Sequence, residues 1–265
     1  GLPQPPEPPC TDPVPHDKVI ACLGAHFAPS LISTDTVWNA VDGPYRLGVF
    51  TTVEAGASLQ IKPGTVVCGD NRHLRVNGTL QVLGTANAPV VLFNTNVTGA
   101  VVPQHIPYEV TVEHARFIGG SLSALHGSER GVVRVEDSDL AFNQPSRVGL
   151  YGPFDLRRNL IQGTFIVDDP YAYSRVSFEA NTLVGARVDI WRGHADFARN
   201  DFSNAWQESI NLSPGASASA PSNYWGGTDP AWIGDFVWDQ TDSAVLTLVD
   251  VSSPLSLPDP QSPRL

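Results

Sequence analysis

Methionine is absent from this 265-residue chain, lysine occurs only twice, and charged residues make up just 16%. Basic residues number 16 against 27 acidic ones, which gives a formal net charge of −11 and leaves no basic run. Because a nucleic-acid partner requires cations to neutralise its phosphates, no nucleic-acid binding is predicted. No apolar stretch approaches the ~18 residues of a membrane-spanning helix, so no transmembrane segment is predicted.

Glycine and proline are abundant by contrast, at 23 residues each, and they show no Gly-X-Y period. Hydrophobic residues at 42% are typical of a folded chain. Many turn-forming residues with little helical periodicity favour numerous short strands. Proline is concentrated at both ends, so we expect a leader over residues 1–37, a folded domain over 38–253 and a proline-rich tail over 254–265.

The chain has three cysteines. Cys10 and Cys22 lie 12 residues apart in a proline-dense segment, and Cys68 ends a β-branched run. A Cys10–Cys22 disulfide with Cys68 buried and free is the predicted arrangement, although fully reduced cysteines remain an alternative because spacing alone fixes no connectivity. The chain begins at Gly1 rather than Met, which fits a cleaved signal peptide or a trimmed chain, and we expect a secreted or cell-surface protein.

Six short segments of the chain echo one another. They read VEHARF (112–117), VEDSDL (135–140), LRRNLI (156–161), FEANTL (178–183), FARNDF (197–202) and APSNYW (220–225). Their fourth positions are Ala115, Ser138, Asn159, Asn181, Asn200 and Asn223. A unit of about 20–23 residues that repeats a small residue or Asn at one turn indicates a solenoid.

The apolar pattern distinguishes between two kinds of solenoid. A leucine-rich repeat would need Leu at fixed offsets and a helical segment, whereas these repeats mix Val, Ile, Phe and Leu. Residues 53–95 alternate apolar and polar positions between turn signals, as short strands do. The predicted fold is therefore all-β, a single right-handed parallel β-helix. We expect the repeated Asn to tolerate a left-handed turn and to hydrogen-bond from coil to coil.

The same motifs resemble those of secreted right-handed parallel β-helix proteins, the pectate-lyase-like superfamily scaffold. The residues that carry the resemblance are Trp38, GPY (43–45), VEAGASLQIKPGTVV (53–67), LRVNGTLQVLGTANAPVVLF (74–93) and an Asn-Tyr-Trp-Gly exit segment, SNYWGGTDPAWI (222–233). In such a fold Trp225 would cap the final coil, and Gly226-Gly227 would let the chain leave it. The resemblance covers about residues 38–257 and implies architecture rather than activity, because enzymes, adhesins and surface proteins share this scaffold.

Polygalacturonase-like members carry Asn-Thr-Asp, Asp-Asp, Gly-His-Gly and Arg-Ile-Lys signatures. This chain has only the partial echoes Asp168-Asp169 and Arg192-Gly193-His194, and Arg-Ile-Lys is absent from it. Leu183 follows Asn181-Thr182 where that family has its acid. These departures argue against a hydrolase of that type.

The repeat register nevertheless predicts a cluster on one lateral face, because residues one period apart lie about 4.8 Å from each other in stacked strands. The catalytic candidates are Asp168, Asp169, Asp189 and Arg192. The ligand-binding candidates are Tyr171, Trp191, Arg147, His194 and Glu208. Carboxylates and arginines beside an aromatic suit sugar binding or acid–base chemistry on a polysaccharide. The alternative is a solvated ladder of opposite charges.

Other clusters carry less information. Glu113, Glu136, Arg157 and Glu179 form a column expected to be surface charge, and the histidines show no zinc spacing, so no metal site is predicted. No cofactor is expected, and Ca²⁺ is the one ion that acidic pairs such as Asp137 and Asp139 would suit. The predicted function is non-catalytic binding or display at a surface with polysaccharide as the ligand. The alternative is a polysaccharide lyase or glycoside hydrolase.

Overall fold

A computed structural model of the chain describes residues 22–99, 107–124, 131–148, 153–169 and 175–265. The strands are β1 His26–Phe27, β2 Leu31–Ile32, β3 Thr36–Trp38, β4 Tyr45–Arg46, β5 Phe50–Val53, β6 Ser58–Ile61, β7 Val66–Val76, β8 Thr79–Leu83, β9 Val90–Gly99, β10 Glu109–Glu113, β11 Ala115–Ala124, β12 Val132–Glu136, β13 Asp139–Ala141, β14 Ser146–Val148, β15 Pro153–Arg157, β16 Leu160–Asp168, β17 Arg175–Glu179, β18 Thr182–Ala198, β19 Asp201–Asn204, β20 Ile210–Leu212, β21 Ala216–Ser219 and β22 Val237–Trp238. A short helix, α1, spans Pro230–Gly234.

Each coil contributes to three parallel sheets in turn. The first sheet stacks β1, β4, the first parts of β7, β9 and β11, then β13, the first parts of β16 and β18, and β19. The second stacks β2, β5, the later parts of β7, β9 and β11, then β14, later β16, middle β18, β20 and β22. The third stacks β3, β6, β8, β10, β12, β15, β17, the end of β18, and β21.

The all-β prediction is confirmed: the parallel sheets form a β-solenoid of about eight turns. The stack starts earlier than the Trp38 boundary expected from the sequence, because β1, β2 and β3 already pair with the following coil. These first strands are only two or three residues long, too short to show an alternating pattern. The column Glu113, Glu136, Arg157 and Glu179 is aligned in the third sheet, as predicted.

The interior is filled by inward-facing aliphatic and aromatic side chains. From the middle coils onward, rings lie 4.4–6.0 Å apart in a continuous series: Phe117, Phe142, Phe165, Phe178, Phe197, Phe202, Trp225 and Phe236. Near the other end, Trp38 stacks on Tyr45 at 4.7 Å. Parallel stacking places side chains of successive coils above one another, so rings in neighbouring coils can come into contact.

The repeated turn forms a buried hydrogen-bonded ladder, as predicted. The amides of Asn159, Asn181 and Asn200 each donate to the side-chain oxygen of the next ladder Asn, at 2.8–2.9 Å. Ser138 extends the ladder, since its amide donates to Asn159 Oδ1 at 2.9 Å. The left-handed residue of each turn is not the Asn, however. It precedes it, as at Arg158, whose φ is 53°. The Asn is therefore repeated for its amide group and not for its backbone tolerance.

The predicted Cys10–Cys22 disulfide is wrong. Cys22 is bonded to Cys68, with 6.0 Å between the Cα atoms. Cys68 is completely buried, as expected, but it is not free. A sulfur in this bond has no valence left for Cys10, which lies outside the described residues. The sequence separation of 46 is close to two coil lengths, so coil stacking rather than local spacing brings the two cysteines together.

The chain after Trp225 continues around the solenoid before returning along it. Asp229 caps α1 by accepting from the Ala231 amide at 2.9 Å, and β22 then pairs with β20. We call residues 255–263 the strap. It runs back along the ladder corner, the turn between the third and first sheets that holds the Asn ladder. The Leu255 amide donates to Asn223 O, Ser262 Oγ donates to Arg199 O, and Pro263 O accepts from Thr182 Oγ1.

Candidate functional site

Part of the predicted lateral cluster lies on the outward face of the second sheet. Arg147 of β14 aligns with Ile166 of β16, then with Asp189 of β18 and Asn211 of β20. Successive outward side chains lie one strand spacing apart, about 4.8 Å. These coils therefore place basic, apolar, acidic and amide groups in one row.

An exposed tryptophan lies beside this row. Trp191 is 40% exposed, and the guanidinium carbon of Arg147 lies 5.3 Å from the centroid of its ring. A guanidinium over an indole is attracted to the ring's negative face. Trp191 occupies the outward position two residues after Asp189, just before β18 bends at Gly193 into the third sheet. Arg147 and Trp191, both predicted as ligand-binding residues, are thus in contact.

The carboxylates on this face are engaged by arginines. Asp168 Oδ1 lies 2.6 Å from Arg192 Nε. Asp189 Oδ1 accepts from Arg187 Nε at 2.5 Å and from Asn211 Nδ2 at 2.9 Å. Such groups are held as hydrogen-bond acceptors beside fixed cations. This pairing has the form of the charge ladder that the sequence left open as the alternative to acid–base chemistry.

Two other predicted residues lie at the margins of the face. Asp169 is only 3% exposed, and its backbone amide donates to Arg192 O at 3.1 Å, so Asp169 does not present a free surface at this face. Glu208 is largely exposed and lies 3.8 Å from the guanidinium of Arg187. Glu208 therefore contacts Arg187, the arginine that also binds Asp189 of the row.

His194 lies on a different surface. Beyond the bend at Gly193 it belongs to the third sheet, where its ring contacts Ser217 Oγ at 2.8 Å and Asp196 Oδ1 at 3.0 Å. Tyr171 lies outside the described residues. The structure therefore brings Arg147, Trp191 and Asp189 onto one face and separates His194 from them.

Sequence reasoning missed Arg187 and Asn211, both of which bind Asp189. Ala124 and Ile190 lie nine residues beyond their ladder positions, as Arg147 and Asp168 do, but both are completely buried. A fixed spacing does not select one face, because the distance from the ladder position to the second sheet varies between coils: Arg147, nine residues beyond Ser138, aligns with Ile166, seven residues beyond Asn159. An alternation test within β18 would have put Arg187 and Asp189 on the same side.

A groove lies at the ladder corner, away from Trp191. It has a volume of about 440 Å³, and Pro263 of the strap forms part of its wall. Its charged groups bind one another: Arg158 contacts Asp137 at 2.8 Å, and Arg116 contacts Asp139 at 3.4 Å. The side-chain hydrogen bond from Arg158 lowers the pKa of Asp137. The charges of this groove are thus already satisfied internally.

Within the described residues, no group of three or more His, Cys, Asp or Glu side chains could hold a metal ion. No helix in the part of the chain that the structure describes is both long and apolar enough to cross a membrane. The chain matches no protein-family model, no curated protein and no solved structure. The geometry of the second sheet is consequently the evidence on which a function can be argued.

Proposed function

We propose that the outward face of the second sheet binds polysaccharide without cleaving it, in a secreted or cell-surface protein. The observation that carries the proposal is the exposed Trp191 ring beside Arg147 and the polar row that contains Asp189. Sugars present apolar C–H faces and hydroxyl edges. An indole supplies a flat apolar surface for the first, and carboxylates and guanidinium groups bind the second.

Two features support an extracellular setting. The Cys22–Cys68 disulfide is a bond that persists in oxidising compartments. The Asn-Tyr-Trp-Gly segment that starts at Asn223 supports kinship with secreted, pectate-lyase-like β-helix proteins, since its Asn continues the ladder and Trp225 stacks on Phe202 at 4.4 Å. An extracellular location is therefore part of the proposal.

The pairing of the acids favours binding over catalysis. A glycosidase requires one carboxyl group that donates a proton and a second that attacks sugar or activates water. Asp168 and Asp189 each accept from an arginine, and Asp189 also accepts from Asn211. Groups held in this way are suited to receive hydrogen bonds from hydroxyls rather than to exchange protons.

The test is a binding screen on neutral polysaccharides (cellulose, xylan, mannan) and acidic ones (polygalacturonate, alginate). The chain offers a matched control, because Arg75 lies 4.2 Å over the exposed Phe50 ring at the far end of the same sheet. Trp191→Ala should abolish binding, whereas Phe50→Ala should leave it intact. Equal effects of the two substitutions would refute the site. Release of reducing or unsaturated ends, lost in Asp168→Ala, would establish the enzyme alternative instead.

A further inference from the structure

The exposed tryptophans are concentrated at one end of the solenoid. Of the six tryptophans in the chain, Trp38 and Trp225 are buried in the core. The other four are 37–49% exposed: Trp191, Trp206, Trp232 and Trp238. All four lie between β18 and β22, in the last coils. Large aromatic rings left in water together mark a surface that binds something.

Trp238 lies on the same face as Trp191. It aligns with Asn211, which in turn aligns with Asp189, so Trp238 continues the polar row two strands beyond Asp189. Trp191 is two residues further along its strand than Asp189. Strand spacing and residue rise together put the Cα atoms of the two tryptophans about 12 Å apart. The Trp238 indole therefore extends the surface for binding beyond Trp191 along the same face.

A small cleft adjoins Trp238, and Trp206 and Trp232 lie close to its wall in the sequence. It has a volume of about 150 Å³, and its wall is formed by Gln207, Glu208, Gly234, Asp235, Val237, Trp238 and Asp242. Trp206 immediately precedes this wall in one coil, and Trp232 precedes it in the next. The two coils are joined there by the Glu208 amide, which donates to Asp235 O at 2.8 Å.

Trp206 and Trp232 are held in place by the residues around them. Trp232 Nε1 donates to Trp225 O at 2.6 Å, and its ring lies edge-on to Phe236 at 5.5 Å. The Trp206 indole lies so close to Gly185 that a Cβ there would come within 3.1 Å of Trp206 Nε1. Rings fixed before a ligand arrives lose little conformational entropy on binding. These exposed indoles are therefore suited to act as rigid platforms.

The charge of the cleft determines the class of ligand. Glu208, Asp235 and Asp242 contribute carboxylates, of which Glu208 contacts Arg187 at 3.8 Å, and none of the described residues that line the cleft is basic. The whole chain carries a net charge of −11. A polymer of uronic acids would meet like charge here, whereas the hydroxyls of a neutral sugar can donate to carboxylates.

We propose that the four exposed tryptophans form one track for a neutral polysaccharide chain. The track runs from Trp191 over Trp238 and the acidic cleft to Trp206 and Trp232. This inference rests on the proposed carbohydrate binding, to which it adds the extent of the site and the charge of the ligand. A track with several platforms binds a long chain more tightly than a short one, since each additional sugar unit gains a contact without a second association cost.

The test uses calorimetry with the neutral polysaccharides of the screen and with a ladder of cello-, xylo- and manno-oligosaccharides of two to six units. We expect affinity to rise at least tenfold with length for the chain type that binds, and polygalacturonate not to bind. Trp238→Ala and Trp206→Ala should each remove most of that rise while leaving the shortest ligand unaffected. Trp238→Phe, which keeps a flat ring, should preserve it. Unfolding curves identify any variant that fails to fold.

The outcomes separate the two proposals. Binding that requires Trp191 but is unchanged by Trp206→Ala and Trp238→Ala would overturn the track and leave the proposed function standing. Tighter binding of polygalacturonate than of every neutral chain would overturn the assigned ligand class. Failure of every polysaccharide to bind would overturn both proposals.

Discussion

Asn200 Oδ1 accepts two hydrogen bonds from Asn181, one from the backbone amide at 2.9 Å and one from the side-chain amide at 3.0 Å. Asn200→Ala leaves these donors unsatisfied in the core, together with the Phe178 carbonyl that Asn200 Nδ2 now binds. We expect the free energy of unfolding to fall by about 3 kcal/mol, measured by guanidinium denaturation. The exposed Asn204 provides the control, and Asn204→Ala should cost less than about 0.5 kcal/mol. Equal losses would refute the ladder's role.

The Cys22–Cys68 bond should appear as a linked peptide pair in a non-reduced digest analysed by mass spectrometry, with Cys10 unlinked to either. The bond closes a 46-residue separation in the unfolded chain, which corresponds to about 4 kcal/mol of stabilisation. Cys68→Ala should therefore lower the unfolding midpoint and increase hydrogen exchange in β1 first. A Cys10–Cys22 peptide, or a midpoint that does not change on reduction, would contradict this.

The Asp137–Arg158 pair should contribute acid-sensitive stability. Because Arg158 lowers the folded-state pKa of Asp137, the contribution is present above the unfolded value of about 3.9. It is lost as the pH falls through the folded value. Arg158→Gln should thus reduce stability at pH 6 by less than about 1 kcal/mol, since the pair is partly exposed, and the deficit should shrink at pH 2.

Urea unfolding at the two pH values measures this effect. Arg134→Gln is the control, because the contact of Arg134 with Glu109 is longer, at 3.5 Å. A deficit that is the same at pH 2 and pH 6 would show that Arg158 acts through packing and not through charge.

Removal of the strap should destabilise the last coils. Its three hydrogen bonds to the solenoid, each contributing about 1 kcal/mol, include one from Ser262, which is 3% exposed. Deletion of residues 255–265 should lower the free energy of unfolding by about 3 kcal/mol and increase exchange at the Asn200 amide. Deletion of the exposed Arg264 and Leu265 alone is the control and should have no measurable effect.

The ladder and the parallel fold could be predicted because they depend on a repeated local requirement. Each of Asn159, Asn181, Asn200 and Asn223 serves the same turn, so the period is visible in the sequence. The period is shorter between Asn181 and Asn200, at 19 residues. The Asn is still in its ladder position there, because its hydrogen bonds fix that position even where coil length changes.

The disulfide and the site depend on register between coils, which a single sequence does not display. Cys22 pairs with Cys68 through stacking, and the row through Arg147 and Asp189 is displaced by irregularities in β16 and β18. The Trp238 platform lies beyond the last echo, where no repeat marks its position. Residue types at the site were therefore predictable, whereas their partners were not.

The strap also has a consequence for folding. Ladder bonds join residues 19 to 23 positions apart, so coils can form one after another from contacts that are local in the chain. The strap joins Ser262 to Arg199 and Pro263 to Thr182, across 63 and 81 positions. Such distant contacts carry a larger loop-closure cost and form late. The coils from Thr182 onward should consequently open and close as one unit, while the coils between the Cys22–Cys68 disulfide and Thr182 can open turn by turn.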